Sequence, residues 1–199
     1  AAIRQLGRDN RRTHLPIRHL LVSDEEIGSA SAKPHIIREA QRAKYVLVTE
    51  PARSGGKIVT ARKGIANFNV SAHGEAAHAG VEHHLGANAV LEIAHQIVAL
   101  EAMTDYDRDL TVNVGQVRGG IRDNVVPDQA SITVDIRFPN PAIGDEIIER
   151  VRALVPRNPK VRLVVEGGIN RPGYDKSPDI AALFEHAKGL AAEIGFDLV

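Results

Sequence analysis

Two adjacent carboxylates, Glu25 and Glu26, lie in residues 23–29, which read Ser-Asp-Glu-Glu-Ile-Gly-Ser and follow an apolar run at 17–22. Because like charges repel, such a pair at the end of a buried strand is costly unless a positive charge lies between them. A divalent metal ion is a common source of that charge. One carboxylate then binds the metal, while its neighbour handles the proton of an attacking water. The alternative is a capping box, in which Ser23 and Glu26 begin a helix.

A third carboxylate, Glu50, follows a continuous apolar run at 45–49 that is typical of a strand buried on both faces. A helix is predicted between the two runs at 34–43, with a proline in its first turn. This strand–helix–strand order predicts a parallel α/β sheet. Functional groups in such sheets collect at the carboxyl ends of the strands, so Glu50 is expected near Glu25 and Glu26.

The pattern changes after Gly56. Apolar alternation and helical spacing predict β-α-β-β-α-β, the order of a ferredoxin-like unit. The predicted elements are a strand at 65–73, a helix at 86–102, strands at 110–117 and 130–138, a helix at 143–154 and a strand at 161–166. A last helix is predicted at 178–194.

The predicted fold class is therefore α/β, a partial parallel-sheet domain interrupted by a ferredoxin-like α+β insert. The expected boundaries are 1–61 for the first piece, 62–170 for the insert and 171–199 for the last piece. The two flanking pieces are too small to close a sheet with covered edges. We therefore expect the chain to be part of a longer protein.

Composition excludes several classes of function. The 199 residues carry 25 acidic and 25 basic side chains, so no basic field for nucleic acid is expected. Cysteine is absent, which excludes disulfides and thiolate metal sites and leaves carboxylate and imidazole as metal ligands. No apolar run is as long as a membrane span, and the first residues do not read as a signal peptide. We expect a cytoplasmic protein with no nucleic-acid or membrane partner.

Seven motifs occur together in an order and spacing that resemble the dizinc metallopeptidases. That family includes glutamate carboxypeptidases, aminoacylases, acetylornithine deacetylase and succinyl-diaminopimelate desuccinylase. The motifs are Ser-Asp-Glu-Glu-Ile-Gly-Ser at 23–29, Thr-Glu-Pro at 49–51, Ala-His-Ala-Gly at 77–80, Gly-Ala-Asn-Ala-Val at 86–90, Gly-Gly at 119–120, Asn-Val-Val-Pro at 124–127 and Asp-Ile-Arg at 135–137. The resemblance runs from about residue 15 to the end of the chain.

The resemblance implies a role for each matching residue. Glu25 would be the general base, and Glu26 and Glu50 would each bind one of two zinc ions. A glutamate at position 50 is more similar to the glutamate carboxypeptidase branch than to the deacetylases. His78 would cross to the partner subunit and stabilise the oxyanion, and the 62–170 insert would be a lid that also forms a homodimer.

The resemblance also implies four substrate-binding residues. Asn124 and Arg137 match lid residues that contact the substrate and its carboxylate, and Lys57 and Arg171 match further cations. Chemistry alone leaves simpler alternatives open. Arg137 could be a solvated charge at a strand end, Asn124 could only shape a turn, and His78 could be an exposed loop residue.

The chain also departs from the family pattern. A His-x-Asp motif, a bridging aspartate and a C-terminal histidine are not identifiable, and they are expected before residue 1 and after Val199. The predicted function of the full-length protein is zinc-dependent hydrolysis of an amide bond beside a free carboxylate in a small peptide. The alternatives are an N-acyl amino acid deacylase of the same family and a non-catalytic dimerisation module. The fragment alone is expected to be inactive and to bind zinc weakly, if at all.

Overall fold

The computed structural model describes residues 2–50 and 55–199. The chain divides into two compact units, Ala1–Pro51 and Ala52–Val199. The predicted three-part division, with boundaries after residues 61 and 170, stays a prediction. The described elements of the first unit are α1 (Ala2–Arg8), a 3₁₀ turn (Glu25–Ile27) and α2 (Lys33–Ala40).

The two apolar runs of the first unit, 17–22 and 45–49, form no strand in the described residues. Leu21 and Val48 each leave 79% of their surface exposed. The prediction of a parallel strand pair in this unit is therefore wrong for this structure. Parallel strands need helices over both faces, and α2 buries none of its residues.

The second unit contains a four-stranded antiparallel sheet, which confirms the predicted ferredoxin-like lid. The strands lie in the order β2-β3-β1-β4, and every neighbouring pair is antiparallel. In chain order the elements of the lid are β1 (Gly64–His73), α3 (Ala89–Glu101), β2 (Thr111–Gly119), β3 (Gln129–Phe138), α4 (Pro141–Arg152) and β4 (Arg162–Arg171).

The core of the lid forms because β1 and β3 alternate strictly between buried and more exposed side chains. Helices α3 and α4 cover the apolar face of the sheet. Each helix begins at an asparagine whose side-chain oxygen accepts a backbone N–H, from Leu91 to Asn88 at 2.9 Å and from Ile143 to Asn140 at 3.1 Å. The buried residues of the two central strands include Ala66, Phe68, Val70, Ile132, Val134 and Ile136.

Strand β4 is longer than predicted and contains a bulge. Ala66 pairs with Ile169 and Ile65 pairs with Arg171, so Asn170 is the extra residue. Without the bulge, Asn170 would pair with Ile65. Because of the extra residue, Arg171 pairs with Ile65 instead and lies on the same face of the sheet.

The helix α5 (Pro178–Glu193) follows the lid, and Ser177 caps it by accepting the N–H of Ile180 at 3.2 Å. Its bounds agree with the predicted helix at 178–194. None of the helices in residues 2–50 and 55–199 combines the length and apolar character that crossing a bilayer requires.

Glu92 is a buried carboxylate of α3, with 2% of its surface exposed. It accepts hydrogen bonds from the backbone N–H groups of Arg157 and Asn158 at 3.0–3.1 Å, and one from the Gln96 side chain at 2.7 Å. Burial would raise the pKa of Glu92, but these hydrogen bonds outweigh it and hold the pKa below its ordinary value. Glu92 thus ties α3 to the segment after α4.

We predict that Glu92→Gln lowers the free energy of unfolding of the lid by about 2–3 kcal/mol at neutral pH, because it removes hydrogen bonds to a charged acceptor. The folded pKa is depressed, so this stability is present above the unfolded pKa and is lost as pH falls through the folded pKa. Urea unfolding at about pH 7 and about pH 3 should show the difference between wild type and variant shrinking in acid. The exposed Glu149→Gln on α4 is the matched control, and equal stabilities of wild type and Glu92→Gln at neutral pH would contradict the prediction.

Candidate functional site

The two adjacent glutamates lie on a tight, exposed turn. Glu25 and Glu26 begin the 3₁₀ turn, which closes through the N–H of Gly28 donating to the carbonyl of Glu25 at 2.9 Å. Gly28 has φ of 94° and Ser29 has φ of 55°, so the chain reverses within two residues. Asp24, not Ser23, precedes the turn, so the alternative of a capping box that begins at Ser23 is wrong.

Asp24 holds this turn against the start of α2. Its Oδ2 accepts hydrogen bonds from the Ser31 hydroxyl at 2.7 Å, the Ser31 N–H at 2.9 Å and the Ala32 N–H at 3.1 Å. The bond from Ser31 lowers the pKa of Asp24, against the opposing effect of burial. Sequence reasoning missed this residue, although an aspartate a few residues before a helix start is a recognisable capping signal.

Glu50, the third predicted carboxylate, is exposed and follows the unpaired apolar run. No group of three or more histidine, aspartate or glutamate side chains in residues 2–50 and 55–199 is arranged to hold a metal ion. Zinc sites in proteins normally use three or four protein ligands. The described residues alone therefore do not fit a complete zinc site.

The second unit brings His78 and Asn124 together. Their loops pair through the backbone: the N–H of Ala79 donates to the carbonyl of Asn124 at 3.0 Å, and the N–H of Val126 donates to the carbonyl of Ala77 at 2.9 Å. The side chains of His78 and Asn124 are both exposed. Two motifs that lie 46 residues apart in the sequence thus form one surface.

The loop that follows β1 is packed closely against the start of α3. Glu75 and Ala87 exchange backbone hydrogen bonds at 2.9 and 3.0 Å. A Cβ atom at Gly74 would lie 1.9 Å from the carbonyl oxygen of Ala87, so this position requires glycine. The N–H of Ala89 donates to the carbonyl of Pro127 at 2.8 Å, and this bond joins the start of α3 to the segment that contains Asn124.

The imidazole of His78 is fixed by its own loop. Its Nδ1 accepts hydrogen bonds from the N–H groups of Gly80 at 3.1 Å and Val81 at 3.3 Å. A ring nitrogen that accepts a hydrogen bond carries no proton, so the neutral ring carries its proton on Nε2. Nε2–H is therefore the group that His78 presents as a donor.

Arg137 and Arg171 lie at the opposite end of the sheet. Both pair with Ile65, Arg137 from β3 and Arg171 from β4, so they occupy one row across three strands. Arg137 donates from Nε to Asp135 Oδ1 at 2.6 Å and from Nη2 to Asp135 Oδ2 at 3.0 Å. Arg137 is thus held in an ion pair with Asp135, and its side chain is partly exposed.

The predicted lid residues thus form two separate sets in one chain. His78 and Asn124 lie beyond the His73 end of β1, while Arg137 and Arg171 lie at the Ile65 end. The strand between them spans about 27 Å at about 3.4 Å per residue. A small substrate therefore cannot contact both sets of one protomer at once.

Lys57 is the last of the predicted substrate-binding residues. Lys57 is exposed, in a segment where the N–H of Ile58 donates to the carbonyl of Val199 at 3.0 Å. His83 and His84 follow His78 in the same loop and are exposed in the short 3₁₀ helix His83–Leu85. The roles of Lys57, Asn124, Arg137 and Arg171 in substrate binding stay predictions.

Comparison with known proteins identifies relatives of the chain. Residues 60–161 match the model of the peptidase dimerisation domain of the M20 peptidases. Carboxypeptidase G2 of Pseudomonas sp. (strain RS-16) is 29% identical over 181 residues, which cover 88% of this chain and 43% of that protein. A p-aminobenzoyl-glutamate hydrolase homolog of Haemophilus influenzae is 30% identical over 127 residues, which cover 62% of this chain and 30% of that protein.

The fold has relatives of known structure. The crystal structure of aminopeptidase PepT from Bacillus cereus matches with a TM-score of 0.76 and 26% identity, covering 100% of this chain and 53% of that one. The chain thus spans about half the length, or less, of the relatives it matches. Because the family model matches just over half of its residues, the chain belongs to the M20 metallopeptidase family, and residues 60–161 correspond to the peptidase dimerisation domain.

Proposed function

We propose that the whole protein is a metal-dependent hydrolase that cleaves an amide bond beside a free carboxylate, as a glutamate carboxypeptidase does. The observation that carries the proposal is the exposed turn that presents Glu25 and Glu26 in a chain of the M20 family. Relatives named carboxypeptidase and p-aminobenzoyl-glutamate hydrolase support the substrate class.

Glu25 is the proposed general base. It would accept the proton of the attacking water and deliver it to the leaving amine, a role that suits an exposed carboxylate on a hydrogen-bonded turn. Glu26 and Glu50 are proposed to contribute carboxylate ligands to a two-zinc site, together with ligands from other parts of the whole protein. The geometry of the turn supports these two different roles, because successive side chains of a 3₁₀ turn point in different directions.

His78 is the proposed oxyanion donor, and it acts on the active site of the partner protomer. Its Nε2–H is the donor that the loop hydrogen bonds leave available. The span of about 27 Å between the two sets of lid residues supports action across a dimer, because one protomer cannot apply both sets to one small substrate. Asn124 lies beside His78 and is proposed to contact the same substrate. Arg137 and Arg171 are proposed to bind substrate carboxylates at the other end of the sheet.

The proposed homodimer uses the free edge of β2. Side chains protect the first half of this edge: Val112 exchanges hydrogen bonds with the Thr104 hydroxyl at 3.0 and 3.1 Å, and the Val114 N–H donates to Glu101 at 2.6 Å. In the second half of the edge, Val117 lies opposite Ile132, as Val112 and Val114 lie opposite Ile136 and Val134. The N–H of Val117 therefore also points away from β3. Its side chain is 62% exposed, which leaves this half open to pairing with a second copy.

Helix α3 extends the same surface. The helix lies beside this edge, because α3 packs on β2 and β3. Its outer side carries exposed apolar residues, including Leu91 at 56% and Val98 at 70% exposure. An apolar helix beside an open strand edge is a surface that a two-fold partner can match with its own copy.

The catalytic assignment predicts different outcomes for the two glutamates in the full-length protein. Glu25→Gln should keep the metal and lower kcat by about 10²-fold or more, because it removes the proton acceptor. Glu26→Gln should lower the metal content, measured by elemental analysis. Glu185→Gln, an exposed carboxylate on α5, is the control and should change neither. If Glu25→Gln and Glu26→Gln both keep metal and turnover, the assignment of Glu25 as general base and of Glu26 as metal ligand is wrong.

The state of His78 can be measured without activity. Long-range ¹⁵N–¹H spectra of the chain at about pH 8, where free imidazole is neutral, should show the proton of His78 on Nε2. Val81→Pro removes one of the two donors to Nδ1, and the population of the other tautomer should rise. Val81→Ala keeps the N–H and should leave the spectrum unchanged. A proton on Nδ1 in the wild type would contradict the assignment.

The edge of β2 gives a test of the dimer. Val117→Pro removes the outward N–H without removing a bond to β3, so it should dissociate the dimer into monomers in sedimentation experiments. Val117→Ala keeps that N–H and should remain dimeric. Circular dichroism of both variants checks that the lid is folded. A wild-type chain that is monomeric at high concentration, or a Val117→Pro variant that stays dimeric, would contradict this surface.

A further inference from the structure

We propose that Asp135 is a positioning residue that aims the guanidinium of Arg137 at the substrate carboxylate, an inference that rests on the proposed function. Asp135 lies two residues before Arg137 on β3, so the two side chains stand on the same face of the sheet. They are partly exposed, with 36% and 43% of their side-chain surfaces accessible.

The contact between the two side chains is bidentate. Nε and Nη2 of Arg137 donate to the two oxygens of Asp135 at 2.6 and 3.0 Å. Two parallel bonds fix the plane of the guanidinium as well as its position, which a single ion pair does not. The Nη1 hydrogens and the second Nη2 hydrogen then face away from Asp135, and this edge has the geometry for a second carboxylate.

The orientation of Asp135 is itself supported by a chain of amides across the sheet. Asn67, directly opposite on β1, donates from Nδ2 to Asp135 Oδ2 at 3.2 Å. Asn170, the bulge residue of β4, donates from Nδ2 to Asn67 Oδ1 at 3.0 Å. The carboxylate is therefore held by β1 as well as by Arg137, and three strands contribute to the placement of one guanidinium.

A positioning role and a competing role give opposite results. If Asp135 aims Arg137, its removal disorders the guanidinium, and binding of a substrate carboxylate weakens. If Asp135 instead competes with the substrate for Arg137, its removal strengthens binding. The direction of change in KM therefore separates the two roles.

The experiment uses Asp135→Asn in the full-length protein, with an N-acyl glutamate substrate. Its KM should rise about tenfold while kcat changes little, and in an Arg137→Ala background the same substitution should add almost nothing. Asp145→Asn is the matched control, because Asp145 is exposed on α4, which packs on the opposite, apolar face of the sheet, and it should leave KM unchanged. An unchanged or lowered KM for Asp135→Asn, or an equal effect in both backgrounds, overturns the proposal.

Binding measured by NMR separates this inference from the proposed function. N-acetylglutamate should shift the Arg137 Nε–H signal of the full-length protein, and Asp135→Asn should weaken that binding about tenfold. Binding of this kind in a protein that hydrolyses no amide would overturn the proposed function and leave the inference standing. No shift of the Arg137 signal at saturating concentrations of N-acetylglutamate would overturn the inference, whatever the hydrolytic activity.

Discussion

The ten-residue antiparallel pairing of β1 with β3 determines where each lid residue lies. The register runs without a break from Gly64 opposite Phe138 to His73 opposite Gln129. A slip of one residue would exchange the buried and exposed faces of a strand, so burial of the alternating apolar residues fixes the register strongly. The same register places Asp135 opposite Asn67 and separates the His78 loop from the arginine row by the full length of the strands.

That separation gives the lid two ends with different chemistry. One end presents the imidazole of His78, whose Nδ1 accepts hydrogen bonds from its own loop. The other end presents the guanidinium of Arg137 on the polar face of the sheet. The sheet between them separates the two ends by the length of its strands, because β1 and β3 are paired along all ten residues. If the proposed substrate contacts of both sets are needed at one active site, two lids would have to supply them, because one lid cannot span the distance for a small substrate.

Much of the lid could be predicted from the sequence, because its strands alternate and its helices carry asparagine caps and apolar spacing. The first unit was predicted less well. Its apolar runs read as buried strands, yet local pattern cannot reveal whether neighbouring strands and covering helices are present. Sequence motifs indicated Arg137 and His78 as candidate site residues. The contacts of Asp24 and the bulge at Asn170 join separate segments, and a linear pattern does not contain them.

The half-protected edge of β2 has a consequence for how far assembly can proceed. A fully open strand edge accepts a neighbour in several registers and can add copies without limit, as in fibrils. Thr104 and Glu101 occupy the first half of this edge, so a second copy has a short stretch on which to pair. In the proposed two-fold dimer, a single partner would use up this short stretch, and growth into filaments along this edge would stop at two copies.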